Sequence, residues 1–329
     1  KNVGIVAHGG AGKSSLAEAM LFNAGAVTRL GRVDDGTATT DFEPEEVKRK
    51  VSISAALAPC EWKDFKINVV DTPGYSDFVS EVKGALRAVD TALVVLCAAS
   101  GVEVETEKVW KYAADQKLPR IAFVNKMDRE NADFDAAVEG MKATFGGSVV
   151  PMQLPIGSQD SFTGIVDLVS MKAVIYKGGK ATEAEIPDDM KDSAELARMS
   201  MIEAAAEADD DALAKYLEGE ELTDEEIFSG LVKGIADARF VPVFCGSATK
   251  NIGIAELLNA IAKYAPNAEK AVATGINPKN DEAVTRGCSD PFSALVFKTT
   301  ADPFVGRLSF IRVFSGTLKP DSMLYNATK

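Results

Sequence analysis

The chain of 329 residues holds a single histidine, His8, and four cysteines, Cys60, Cys97, Cys245 and Cys288, with no C-x-x-C pair. That spacing supplies neither a zinc set nor a disulfide framework. Cys97 and Cys245 fall inside apolar strands and read as small core residues. A reducing, cytoplasmic setting is the expectation. Long apolar runs are also missing. The longest, residues 91–99, falls far short of the ~20 residues a membrane span needs. It reads as a buried strand, and no membrane partner is expected. Residues 1–7 run directly into an apolar strand, so no signal peptide is read there.

Basic residues are scarce in one place only. The net charge is −13, yet 17 acidic and 3 basic residues lie between Glu183 and Glu226, which leaves 33 basic against 32 acidic elsewhere. The acidity belongs to one segment. A near-neutral body does not exclude RNA contact, because local patches matter more than totals. Hydrophobic residues make up 46% and charged residues 26%, as in an ordinary core-forming protein. The length allows one large domain plus a smaller piece.

The apolar pattern alternates strand and helix. Strands are expected at 2–7, 51–62, 65–71, 91–98, 120–124 and 241–245, and helices from 13, over 77–89, 103–116, 133–145 and 254–264. Such alternation predicts an α/β fold with a mostly parallel sheet covered on both faces. The alternation breaks over about 147–239, which carries strands at 164–169 and 173–176 and two or three acidic helices. This stretch reads as an inserted α+β subdomain with its own small core, inside a first domain of 1–265. Residues 266–287 are polar and rich in turn formers, a linker. Strands at 293–300, 306–315 and 322–327 follow. Residues 288–329 are too few to close a β-barrel and read as the beginning of one.

Four motifs lie between these elements. Ala7-His-Gly-Gly-Ala-Gly-Lys13-Ser14 fits the phosphate loop G-x-x-x-x-G-K-[ST], except that Ala7 replaces the first glycine. The amides of His8, Gly9, Gly10, Ala11, Gly12 and the helix start to Ser15 can wrap phosphate oxygens. Lys13 can reach the β and γ phosphates, where it is also a candidate catalytic group, and Ser14 can hold Mg²⁺. Asp71-Thr-Pro-Gly74 follows an apolar strand; Asp71 can bind Mg²⁺ through water and the Gly74 amide can sense a γ-phosphate. Asn125-Lys-Met-Asp128 ends another strand. The Asp128 carboxylate can accept from N1–H and N2–H₂ of guanine, a donor pair that adenine lacks, which argues against an ATP-using enzyme. Lys126 can lie along the base and Asn125 can tie this loop to the phosphate loop. Ser247-Ala248, after a last strand, can offer a backbone N–H to guanine O6. Each motif lies at the carboxyl end of an expected strand, where open α/β sheets bind ligands. Bound GTP or GDP with Mg²⁺ is the expectation.

With those motifs in place, the sequence resembles the elongation factor G family along nearly its whole length. The resemblance is carried by Asp71-Thr-Pro-Gly-Tyr-Ser-Asp-Phe78, Phe123-Val-Asn-Lys-Met-Asp128, Phe162-Thr-Gly-Ile-Val-Asp-Leu168 and Cys245-Gly-Ser-Ala-Thr-Lys-Asn251. It implies a P-loop GTPase domain with an inserted subdomain, then a β-barrel domain. It also implies GTP hydrolysis coupled to the ribosome, in translocation or recycling. Contacts with ribosomal RNA and, through the acidic insertion, with a basic stalk protein are implied too, for a monomer that binds no DNA.

Three departures from the family pattern mark a divergent paralogue. The usual Arg-Gly-Ile-Thr-Ile reads Arg49-Lys-Val-Ser52-Ile53, where the Ser52 hydroxyl can still serve Mg²⁺. The usual histidine after Asp-Thr-Pro-Gly is Tyr75, a candidate for positioning the attacking water. The usual phosphate-loop Ile and Asp are Gly9 and Gly10. A nucleotide-gated ribosome-binding or protection factor with weak hydrolysis stays open as the alternative. His8 reads as structural rather than as a general base.

Overall fold

The computed structural model describes residues 1–277, 280–302 and 304–327. Residues Lys1–Ala265 form one compact unit and Pro266–Lys329 a second. The first opens with β1 (Asn2–Val6) and α1 (Lys13–Asn23), then a short α2 (Pro44–Arg49). It continues through β2 (Ala56–Trp62), β3 (Phe65–Asp71), α3 (Val79–Leu86), β4 (Thr91–Cys97), α4 (Val104–Asp115), β5 (Arg120–Asn125) and α5 (Phe134–Phe145). After β6 (Val149–Pro151) come β7 (Gln153–Ile156), β8 (Gly164–Asp167), β9 (Lys172–Lys177) and β10 (Lys180–Ala184). Three helices, α6 (Lys191–Ala206), α7 (Asp210–Leu217) and α8 (Asp224–Ala236), lead back to β11 (Val241–Cys245) and α9 (Ile254–Tyr264).

A seven-stranded sheet runs in the order β2-β3-β1-β4-β5-β11-β6, with β2 antiparallel and the rest parallel. Its central strands are apolar throughout because alternate residues feed opposite layers. Ile5, Leu93, Val95, Ile121 and Phe123 pack with Leu16 and Met20 of α1 and Leu257 and Ile261 of α9. Val6, Val94, Leu96, Ala122 and Val124 pack with Leu86 of α3, Trp110 of α4 and Met141 of α5. The chain crosses from β3 on one side of β1 to β4 on the other, so the carboxyl end of β1 lies at a switch point where a crevice opens.

The expected strand over 51–62 starts only at Ala56. Backbone N–H groups of the preceding residues are already taken: those of Ile53 and Ser54 donate to Glu46, and that of Ala55 to Glu81. They cannot join a ladder. The helix expected over 77–89 resolves into a single 3-10 turn, Ser76–Phe78, followed by α3.

The stretch expected as an insertion begins inside the main sheet, since β6 pairs with β11. The sheet β10-β9-β8-β7 is separate and antiparallel. Its core is not. Val166, Leu168, Met201, Ile227 and Leu231 belong to the same apolar cluster as Leu16 and Leu257, so the small independent core expected there is an extension of the main one. The acidic helices form for local reasons. Thr223 and Glu226 cap α8 reciprocally, with Asp224 and Glu225 also in its first turn and Lys233 in its last. Asp209 caps α7.

The second unit contains two hairpins, β12 (Ala273–Ile276) with β13 (Ala283–Arg286), and β14 (Ser293–Asp302) with β15 (Gly306–Ser315). The first hairpin occupies the expected linker. The strand expected at 322–327 is not formed, because no described strand lies beside it to complete a ladder. No helix among the described residues is long and apolar enough to cross a membrane.

Helices α6 and α8 touch through glycine: a Cβ on Gly230 would lie 2.3 Å from the Ala205 carbonyl oxygen. Alanine is the better helix former by about 1 kcal/mol, but overpacking costs about 1–3 kcal/mol. Because the Cβ would meet backbone rather than a movable side chain, the cost lies at the upper end, and we expect Gly230→Ala to lower the unfolding free energy in urea by roughly 2 kcal/mol. A variant as stable as the parent would mean that the two helices part freely.

Candidate nucleotide site

The phosphate loop turns between β1 and α1 on two glycines in the left-handed region, Gly10 at φ 81° and Gly12 at φ 93°. Gly12 is also needed for closeness, since a Cβ there would lie 2.6 Å from Asn125 Nδ2. Helix α1 starts at Lys13, with Ser14 and Ser15 in its first turn, so free N–H groups point at the loop. Lys13 is buried; its Nζ donates to the His8 carbonyl at 3.0 Å. Burial pushes the Lys13 pKa down to about 8, with Asp71 and Asp41 opposing.

The His8 side chain turns away from the loop. Its Nδ1 is 3.0 Å from Thr106 Oγ1 and its Nε2 3.2 Å from Glu103 Oε1, the two residues that cap α4 reciprocally. Burial holds the ring below its usual pKa, with Glu103 opposing. It is a strut between the loop and α4, and only its backbone faces the phosphate path.

Beside Lys13 lies a corner of oxygen donors. Ser14 Oγ is 3.0 Å from Ser52 Oγ; Ser52 donates to Asp41 Oδ1 at 2.6 Å, and Thr40 donates to Asp71 Oδ2 at 2.8 Å. Burial pushes Asp71 up to about 6, against hydrogen bonds from Ser14 and Thr40 and the charge of Lys13. Burial also raises Asp41, with the Ser52 hydrogen bond opposing. Asp41 Oδ2 and Asp71 Oδ1 are buried without a hydrogen-bond partner. Unpaired carboxylate oxygens beside hydroxyls are a donor set for a small hard cation, and the residues fit Mg²⁺. Among the described residues, no group of three His, Cys, Asp or Glu side chains offers a softer metal site.

Ser14, Ser52 and Asp71 thus come together as the sequence led us to expect. Asp41 and Thr40 were missed, because nothing in their spacing marks a segment that folds back on itself. That fold-back is set by buried carboxylates. Glu18 accepts from the N–H groups of Gly31 and Thr39, and Glu46 accepts from Ile53 and Ser54.

Two further loops close the site. Asn125 Nδ2 donates to the Ala11 carbonyl at 3.0 Å, and its Oδ1 accepts from the Ala248 N–H at 3.0 Å. Lys126, in the left-handed region at φ 64°, donates through Nζ to the Gly10 carbonyl at 2.5 Å. Asp128 Oδ1 is buried and has no hydrogen-bond partner. The Ser247 N–H donates to Ile252 O at 2.9 Å. The N–H groups of Ser247 and Ala248, one of which was expected to reach guanine O6, are both engaged within the protein.

Tyr75 is half exposed, and its ring lies against Gly9 of the phosphate loop. A Cβ on Gly9 would meet ring carbons of Tyr75 at 3.0–3.3 Å. Next to it, a Cβ on Gly74 would lie 2.3 Å from Lys13 Nζ. A cavity of about 250 Å³ opens beside the ring, lined by Pro73, Val79, Val82, Val109 and Tyr112.

If Asp41 helps hold a cation, Asp41→Ala should raise the Mg²⁺ concentration that tight GTP binding requires by roughly tenfold, the usual scale for a supporting ligand. GTP titrations at a series of Mg²⁺ concentrations measure this; an unchanged requirement removes Asp41 from the cation site.

Known proteins resemble this chain in sequence and fold. The family model described as the elongation factor Tu GTP binding domain matches residues 1–267, and elongation factor G domain 2 matches residues 291–329. Among solved structures, a crystal structure of a Thermus thermophilus protein is similar at 34% identity and a TM-score of 0.88. The match covers 98% of this chain and 46% of that one, so the chain spans about half the length of that relative. The chain belongs to the elongation factor Tu GTP-binding domain family and, with the domain 2 match, to the translational GTPases of the elongation factor G family.

Proposed function

We propose that the chain binds GTP and GDP with Mg²⁺ and hydrolyses GTP as the switch of a ribosome-associated factor, in translocation or recycling. The observation that carries this reading is the convergence of Lys13, the Ser14–Ser52–Asp41–Asp71 corner and the unpaired Asp128 oxygen at the carboxyl ends of β1, β3 and β5. Mg²⁺, when bound, neutralises charge on phosphate oxygens; Ser14, Ser52, Asp71 and Asp41 would hold it. Lys13 moves from the His8 carbonyl to the phosphates, and the Gly74 amide reads the γ-phosphate. Switch loops in such proteins are ordered by those contacts and released after hydrolysis. Asp128 selects guanine by accepting two donors.

The family match to elongation factor G domain 2 supports the ribosome as partner. The acidic helices α6, α7 and α8 suit a basic ribosomal stalk protein by charge. Ribosomal RNA contact, a monomeric state and a cytoplasmic setting complete the proposal. A second reading, a nucleotide-gated ribosome-binding or protection factor with weak hydrolysis, is favoured by one observation: Tyr75 lies against Gly9, where it packs rather than reaches. Single-turnover GTP hydrolysis by the full-length protein, with and without ribosomes, separates the two.

Two variants sharpen the test. Asp128→Asn should weaken GTP binding by several powers of ten and improve xanthosine triphosphate binding, because a site built for hydrogen bonds rejects a mismatched partner strongly. Unaltered GTP affinity removes Asp128 from the base site. Tyr75→Phe keeps the ring and deletes the hydroxyl. If the hydroxyl positions water, ribosome-stimulated turnover should fall while GTP affinity holds, since positioning dominates phosphoryl transfer. An unchanged rate assigns Tyr75 to packing alone.

A further inference from the structure

Helix α9 follows directly on the loop of Ser247 and Ala248, and its start lacks a cap of its own. The N-cap residue is Gly253, at φ 79°, with no side chain to satisfy the first N–H groups. The inserted sheet reaches this start. The Tyr176 hydroxyl on β9 donates to Glu256 Oε2 at 2.5 Å, in the first turn of α9. Burial raises the Glu256 pKa, with the Tyr176 hydrogen bond opposing.

The loop ahead of Gly253 is closed tightly on itself. Ser247 and Ile252 exchange backbone hydrogen bonds at 2.9 and 3.0 Å. A Cβ on Gly246 would lie 2.3 Å from Ile252 O, and one on Gly253 2.4 Å from Cys245 O. A loop this close-packed moves as a unit, so the position of Gly253 fixes that of Ala248.

A second strap reaches the other base loop. Gln159, in the turn after β7, donates its N–H to the Met127 carbonyl at 2.8 Å, and the Met127 N–H donates to Gly246 O at 3.2 Å. Met127 stands between Lys126 and Asp128. The inserted sheet therefore reaches the Asp128 loop through Gln159 and the start of α9, beside the Ala248 loop, through Tyr176.

We propose that Tyr176 is a positioning residue for guanine-nucleotide binding, through which the inserted sheet holds the two base loops in register and sets how long GDP and GTP stay bound. The proposal rests on the guanine-nucleotide reading above. Tyr176 touches neither the phosphate loop nor the cation corner, and GDP and GTP present the same base. Its loss should therefore speed release of both nucleotides by the same factor and leave hydrolysis of bound GTP alone.

The test uses ribose-labelled fluorescent GDP and a non-hydrolysable labelled GTP analogue on the full chain. Tyr176→Phe should release both roughly tenfold faster, the scale set by leaving buried polar groups unpaired. Its single-turnover hydrolysis rate should match the parent. Glu256→Ala, which keeps the ring and removes the acceptor, should do the same, and it carries the test if Tyr176→Phe does not fold. Glu256→Gln keeps an acceptor and should stay close to the parent. Lowered melting temperature with unaltered release in Tyr176→Phe and Glu256→Ala, or acceleration for one nucleotide only, overturns the proposal. A parent chain that takes up no labelled GDP overturns the guanine-nucleotide reading and this inference with it. Parent binding with unaltered variant release overturns this inference alone.

Discussion

The amide of Asn125 is the contact on which the site depends. It sits at the end of β5, and its two ends serve two other loops: Nδ2 donates to Ala11 of the phosphate loop, and Oδ1 accepts from Ala248 after β11. An amide donates to one loop and accepts from the other with a single rigid group. Being buried, it has no water to fall back on, so each unmade bond would cost the full desolvation of its partner. The contact in turn dictates sequence elsewhere. Gly12 must lack a side chain for Asn125 Nδ2 to approach, and Lys126 must take the left-handed region for its Nζ to bridge to Gly10.

The electrostatics of the corner follow from the same burial. Lys13 is pushed down to about 8 and Asp71 up to about 6, each chiefly by desolvation. Both shifts oppose ionisation, so the mutual attraction of the pair does not recover what burial takes from it. Asp41 adds a second buried carboxyl, also raised. The rest of the fold, chiefly its apolar core, offsets the difference. A divalent cation facing the carboxylates and phosphates facing Lys13 would do so together, which is why the same residues read as poor stabilisers of the empty fold and good binders.

Much of this was legible in the sequence, and what was legible shares a property. The phosphate loop, Asp71, the Asn125–Asp128 loop and Ser247-Ala248 each follow a short apolar strand directly, so local pattern fixed their place in the sheet. The strands at 241–245 and 306–315 and the helix at 254–264 have the bounds read from pattern alone. The misses depend on contacts between distant residues. Asp41 and Thr40 reach the corner because Glu18 and Glu46 hold their segment from outside it. The inserted sheet shares a core with α1 and α9 because its apolar residues meet those helices in space, with no trace in its own periodicity. Residues 322–327 alternate like a strand, but alternation describes one edge of a ladder and says nothing of the other.

Two departures from the family pattern, Gly9 and Tyr75, look independent along the chain and are a single feature in space. The tyrosine ring crowds the place of a side chain at position 9, with ring carbons 3.0–3.3 Å from a Cβ there. Contacts of 3.0 Å lie inside the distance at which carbon atoms attract one another. A side chain at position 9 would therefore require the ring to give way by a few tenths of an ångström. Because the ring belongs to the segment after Asp71 and Gly9 to the phosphate loop, this contact joins the two elements. The apolar cover of the loop, supplied in the usual pattern by the loop's own side chain, is here supplied by its neighbour.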